Sequence, residues 1–232
     1  MGYSDYHLCL AHLVLRYPEY ADIYASCVKN GEHVILDNGA AEGQDWKDVT
    51  DLHAARSKIA AQEVIPPDVI GDRVATVSGI GMWSGRESLL LPAIQGRSLE
   101  DWFACLGQVM ELCAPEVVAV PKAVKRFLSR ISLTIRAHTV YPSLKFHWLG
   151  LEEHVSEEVG YNVPEYVRGI DMKYPITAGR AGRYLEKDGQ SKRAWNRKLD
   201  LESDQDNPAI EANIKYVLRR AGHGTEGSDG DG

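Results

Sequence analysis

Cysteine is scarce in this chain and never spaced as metal clusters or redox pairs require. The four residues Cys9, Cys27, Cys105 and Cys113 include no CxxC pair. That argues against a disulfide framework or a zinc cluster, and for reduced thiols buried in a cytosolic setting. No apolar run approaches the roughly 20 residues of a membrane span. The N-terminal segment has no basic stretch leading into a long apolar core, so no secretory signal is expected. Neither GxGxxG nor GxxxxGK followed by Ser or Thr comes after an apolar run, which removes the common phosphate-cradling loops. Around His33, His138, His147 and His154 there is no HExxH or other paired ligand spacing, so neither a metal nor a cofactor is expected.

What is present is ordinary globular material. Of 232 residues, 44% are hydrophobic and 25% charged, enough for one large domain. The formal net charge of -7 argues against a protein that coats nucleic acid indiscriminately, but binding follows local potential rather than the sum. Residues 179–198 carry seven Lys/Arg against two acids, interleaved with Tyr184 and Trp195. Residues 121–136 carry five Lys/Arg and no acid, a pattern that equally suits a solvated helix face. Trp83 and Trp148 fit either a core or a stacking platform for a base.

Strand-like and helix-like segments alternate throughout. Strands are expected over residues 7–15, 33–37, 62–70, 88–96, 116–121, 144–151 and 166–172. Helical periods fill the spaces between them. The segment after Pro18 places Tyr20, Ile23, Tyr24, Cys27 and Val28 on one face, with Asn30-Gly31 as its stop. Ser98 caps the segment that follows it, with Asp101 three residues on. The last helix opens at Pro208 and carries a Glu211–Lys215 pair. Short apolar strands alternating with helices predict a parallel sheet covered on both faces, either a closed barrel or an open doubly wound sheet. The count favours a compact (β/α)8 TIM-like barrel over residues 1–221, with an irregular last strand near 174–186. Residues 222–232, Gly-rich and acidic, are expected to be a disordered tail.

The apolar runs end in polar residues or, once, in a glycine with Glu152 and Glu153 just beyond it. "VILDNG" closes on Asp37 and Asn38, "QEVIPPD" on Asp68, "LLLPAIQG" on Gln95, "FHWLG" on Gly150 and "VRGID" on Asp171. Asp-Asn-Gly after a strand also reads as a hairpin turn, yet no second strand follows it. Carboxylates of this kind suit glycosyl transfer. One ionised Asp attacks an anomeric carbon, and a second, kept protonated, gives its proton to the departing group. A third acid with an amide neighbour can hold a purine by its edge.

In order and spacing, "LDNGAAEG", "EVIPPDVIGD", "PAIQGRS", "FHWLGL" and "RGIDMKYP" resemble the tRNA-guanine transglycosylase superfamily over residues 8–183. More closely, they look like its compact phage members, which exchange guanine in DNA for a 7-deazaguanine. The resemblance implies that Asp171 is the nucleophile at C1′ and Asp37 the general acid/base. It further implies that Asp68 and Gln95 read the base, that Gly150 lies against it, and that Asn38 stands where the family often has serine. The clustered zinc cysteines of the tRNA enzymes are missing, and "MKYPITAGRAG" replaces their Pro-Thr-Arg run, which favours DNA over tRNA. Arg180, Arg183, Lys192 and Arg193 become the expected backbone contacts to a DNA strand with its target base flipped out. The expected partners are DNA and a free 7-deazaguanine base, in the cytoplasm (a host cell's, if phage-encoded). Three rivals stand beside this: a tRNA-acting transglycosylase, a hydrolase releasing the base to water, and a catalytically inert nucleic-acid-binding barrel.

Overall fold

The computed structural model describes residues 6–46, 49–83, 90–150, 163–171, 178–179, 182, 184 and 207–220. The chain divides into two compact units, residues 1–149 with 166–169, and residues 150–165 with 170–232.

The first unit opens with β1 (Tyr6–Leu10) and continues directly into α1 (Ala11–Arg16). The single strand expected over 7–15 is therefore two elements. An unbroken apolar run of that length satisfies either state, and tertiary packing decides. The helix α2 (Pro18–Lys29) has proline at its first position and stops at Asn30-Gly31, as its sequence indicates. Of its expected inner face, Ile23 is exposed, whereas the Tyr20 hydroxyl turns inward to accept the Leu10 N–H at 3.1 Å. Next come β2 (His33–Asp37), α3 (Thr50–Ile59), β3 (Glu63–Val64) and α4 (Arg73–Gly81). After them lie α5 (Leu99–Cys113), β4 (Val117–Pro121), α6 (Arg130–Val140), β5 (Lys145–Leu149) and β6 (Val167–Ile170). Ser98 caps α5 by accepting the Asp101 N–H at 3.2 Å. The Asp101 carboxylate does not return to Ser98; it accepts from Arg97 N and Arg73 Nε.

The α/β alternation and the parallel pairing are present, but the expected (β/α)8 barrel is not. The described strands form two three-stranded sheets, ordered β1-β2-β3 and β4-β5-β6, and neither closes. The shortfall has a local cause. Pro66 and Pro67 cannot donate to a ladder and cut the third strand to two residues. Pro92 does the same to the fourth, leaving single parallel bridges at Val64–Leu90 and Ala93–Ala119. The eighth strand sought near 174–186 falls largely outside the described residues, and Ala178 and Gly179 within it are helical.

Both sheets nevertheless contribute to one core. Ile35, Ile65, Leu91, Ala93, Val117 and Ala119 pack together, with Tyr6, Leu8 and Leu149 against them. In α5 the stripe Trp102, Cys105, Leu106 and Val109 is buried at helical spacing. The Trp102 indole N–H donates to Ile94 O at 3.0 Å, which anchors the chain just before Gln95. Trp83 and Trp148 are buried. Trp83 stacks on His53 at 4.0 Å, and the Arg130 guanidinium lies 5.3 Å from the Trp148 ring. Both indoles are core residues. Arg130 is itself fully enclosed, so the basic segment 121–136 is not simply a solvated face.

In the second unit, α7 (Pro208–Arg220) is capped by Asn207, whose Oδ1 accepts the Ala209 N–H at 3.0 Å. The Glu211–Lys215 pair forms at 2.8 Å. Residues 222–232 lie outside the described set. No described helix is long and apolar enough to cross a membrane.

Candidate functional site

At the end of β2 the chain turns sharply. Asp37 Oδ1 accepts the Gly39 N–H at 2.9 Å, and Asn38 Oδ1 accepts the Ala40 N–H at 2.6 Å. These paired side-chain turns hold both residues at the strand end. The Trp46 indole N–H donates to Asn38 O at 2.6 Å and closes the loop over them.

Asn38 is almost wholly buried, and its amide reaches across to the loop after β3. Its Nδ2 donates to Pro66 O at 2.6 Å and to Asp68 Oδ1 at 2.7 Å. Gln95, also buried, approaches from the other side and donates from Nε2 to Asp68 Oδ2 at 2.5 Å. The Gln95 carbonyl oxygen accepts the Gly71 N–H at 3.2 Å. Each carboxamide is thereby fixed at both ends, with its carbonyl on a backbone N–H and its amino group on the acid. Asp68 is only partly enclosed. Burial pushes its carboxyl above the usual carboxylate range, while the Asn38 and Gln95 donors pull it back down.

The position of the Asp68 loop is set by α4. A Cβ on Gly79 would stand 2.2 Å from Pro67 O, so only glycine lets the helix approach this closely. Asp72 is a helix cap, accepting the Ala75 N–H at 3.0 Å. Two guanidiniums border the cluster. Arg126 Nη2 donates to Gly96 O at 2.6 Å, and Arg97 Nε donates to Gly71 O at 3.2 Å. Beside Asp37, the buried Cys9 thiol is driven upward by desolvation first and by the Asp37 charge second. It is an inert neighbour, not a nucleophile.

Of the residues singled out in the sequence, the first unit brings Asn38, Asp68 and Gln95 into one hydrogen-bonded cluster, with Asp37 next in the chain. In the second unit Asp171, immediately after β6, accepts the Gly150 N–H at 3.0 Å on Oδ1. Gly150 itself has φ +63°. Arg180, Arg183, Lys192 and Arg193 lie outside the described residues. His12, Arg97 and Arg126 also border the first unit's cluster, and no motif in the sequence marks them. Gly39 packs against the His12 ring, whose Nδ1 would be 3.0 Å from a Cβ there. The available signal is position, since His12 is the second residue of α1, just past the end of β1, and Arg97 directly follows "IQG". His147 is a fully buried residue of β5, edge-on to Tyr6 at 4.8 Å. Desolvation, with smaller contributions from the Arg168, His33 and Arg130 charges, lowers it to about 3, so it is neutral. Cys9 and Cys105 are buried as expected, but Cys27 and Cys113 are only partly so.

No protein-family model and no curated protein matches this chain.

Proposed function

We propose that this protein is a base-exchange enzyme that replaces guanine in DNA with a 7-deazaguanine through a double displacement. The observation that carries the reading is the Asp68 carboxylate, held between the buried amides of Asn38 and Gln95 at the ends of apolar strands. A carboxylate has about four acceptor positions, so the two amide N–H groups do not exhaust it. Guanine presents a ring N–H and an amino group side by side as donors, with a carbonyl acceptor next to them. An acid flanked by oriented carboxamides is complementary to that edge. A pure scaffold has no need of a carboxylate braced by two buried side-chain amides, because withdrawing such a group from water costs desolvation.

The sequence resemblance assigns to Asp171 the attack on C1′ as the C1′–N bond to guanine breaks, and to Asp37 the proton given to the departing base. The incoming base then loses its ring proton to Asp37 and attacks C1′, and Asp171 is released as carboxylate. Bonds, protons and charge balance over the two steps, with no redox change. The hydrogen bond from the Gly150 N–H supports the role of Asp171, because it orients the carboxylate. Arg97 and Arg126, beside the cluster, supply cations of the kind a sugar–phosphate backbone meets.

The test is incorporation of radiolabelled guanine into duplex DNA and into tRNA, side by side, with Asp171→Asn and Asp68→Asn as controls. Label is expected in DNA and is lost in both variants. Label in tRNA alone would transfer the reading to the RNA substrate. No label in either nucleic acid would overturn it.

A further inference from the structure

The turn that ends α2 gathers three side chains of ligand chemistry at the other end of the first sheet. The Gly31 N–H donates to Val28 O and the Glu32 N–H to Cys27 O, each at 3.0 Å, with Gly31 at φ +83°. This is a Schellman turn, and it folds Glu32 back over Cys27. The two positions ordinarily carry an apolar contact in that motif. Here they carry a carboxylate and a thiol. His7 on β1, in register with Val34, completes the group and bonds the Glu32 carboxylate through Nε2.

The imidazole nitrogen, the thiol sulfur and the carboxylate oxygen all lie within 4.8 Å of one another. Tetrahedral zinc, with bonds of about 2.0–2.3 Å, spaces its ligands roughly 3.3–3.8 Å apart, a contraction that small side-chain rotations supply. The backbone behind the group is fixed independently. Gln62 Nε2 donates to Glu32 O at 3.1 Å, and Gln62 Oε1 accepts the Val34 N–H at 2.8 Å. His7 and Glu32 retain 28% and 40% side-chain exposure, which gives an ion its entry and a water the fourth position.

We propose that His7, Cys27 and Glu32 form a binding site for zinc or a divalent cation of similar softness. One nitrogen, one sulfur and one oxygen donor suit such an ion, whereas magnesium and calcium require oxygen throughout. Binding releases the thiol proton to solvent as the sulfur–metal bond forms. The ion ties β1, α2 and the approach to β2 together. Because the β1–β2 register runs from Tyr6–His33 to Leu10–Asp37, the clasp sits at the opposite strand end from Asp37. Its role is to hold the fold, not to act on substrate.

The experiment is cobalt titration of the chelator-stripped full chain, followed by zinc. One cobalt per chain is expected, with tetrahedral visible bands and a thiolate-to-cobalt charge-transfer band that zinc bleaches. Zinc raises the melting temperature. Cys27→Ser loses the charge-transfer band, His7→Gln weakens uptake by roughly tenfold or more, and Cys113→Ser changes neither. Circular dichroism of each variant separates lost binding from lost folding. An absent cobalt spectrum in the wild-type chain, or a charge-transfer band that survives in folded Cys27→Ser, would overturn the site.

Discussion

Asp68 and His147 are titratable groups that the fold treats in opposite ways. Asp68 is raised above its ordinary 3.8, so the folded state holds its proton more tightly than the unfolded chain does. Its contribution is therefore present below about 3.8 and is lost as pH rises through the raised folded value. Denaturant unfolding at a series of acidic pH values should show that slope in the wild-type chain and not in Asp68→Asn. The same substitution sets an amino group against an amide donor and should cost about 1–3 kcal/mol at neutral pH. His147 is lowered from 6.5 to about 3, so its stabilising effect is complete above 6.5 and is lost as pH falls toward 3. A loss on the order of 4 kcal/mol over that window is expected, and it should be absent in His147→Phe. Asp37, Asn38, Asp68 and Gln95 were legible because each directly follows an apolar run. His12 and the His7–Cys27–Glu32 group were not, because their members meet only through the β1–β2 pairing and the turn after α2.

Elements with strong local signals formed where their residues indicate. Pro18 opens α2 and Asn30-Gly31 ends it, Ser98 caps α5, and Pro208 begins α7. These depend on a few neighbouring residues and little else. Strand lengths were harder to read, because proline acts on ladder hydrogen bonds whose partner strand the sequence does not name. Pro66-Pro67 and Pro92 each shorten a strand that its apolar residues would extend. The same prolines shape the site, since the non-ladder backbone after β3 is what turns Asp68 toward Asn38 and Gln95. At this scale the decisive contact is α4 against Pro67. Gly79→Ala should destabilise the protein by about 1–3 kcal/mol in thermal melts, since its Cβ would overlap Pro67 O. It should also weaken guanine binding, because the Asp68 loop must shift to make room.

At the largest scale, alternation of strands and helices points to an α/β protein with parallel pairing, but among the described residues two open three-stranded sheets stand where a closed barrel was expected. Counting apolar runs treats every run as a full strand, and that overstates the number able to pair. Charge acts at this scale as well. The chain carries a net -7, so any DNA contact must come from local cations such as Arg97, whose side chain is 78% exposed beside the Asp68 cluster. Arg97→Ala should weaken DNA binding uniformly across sequences and reduce the salt slope of the affinity by about one, as measured by anisotropy titration at several salt concentrations. Covalent base exchange through Asp171 is tested by mass-spectrometric mapping of an adduct, after the protein is mixed with a guanine-containing DNA duplex and quenched by denaturation. A deoxyribose ester on Asp171 is expected, absent from Asp171→Asn and discharged by added guanine. An adduct on another residue, or none under conditions where guanine exchanges into the DNA, would contradict it.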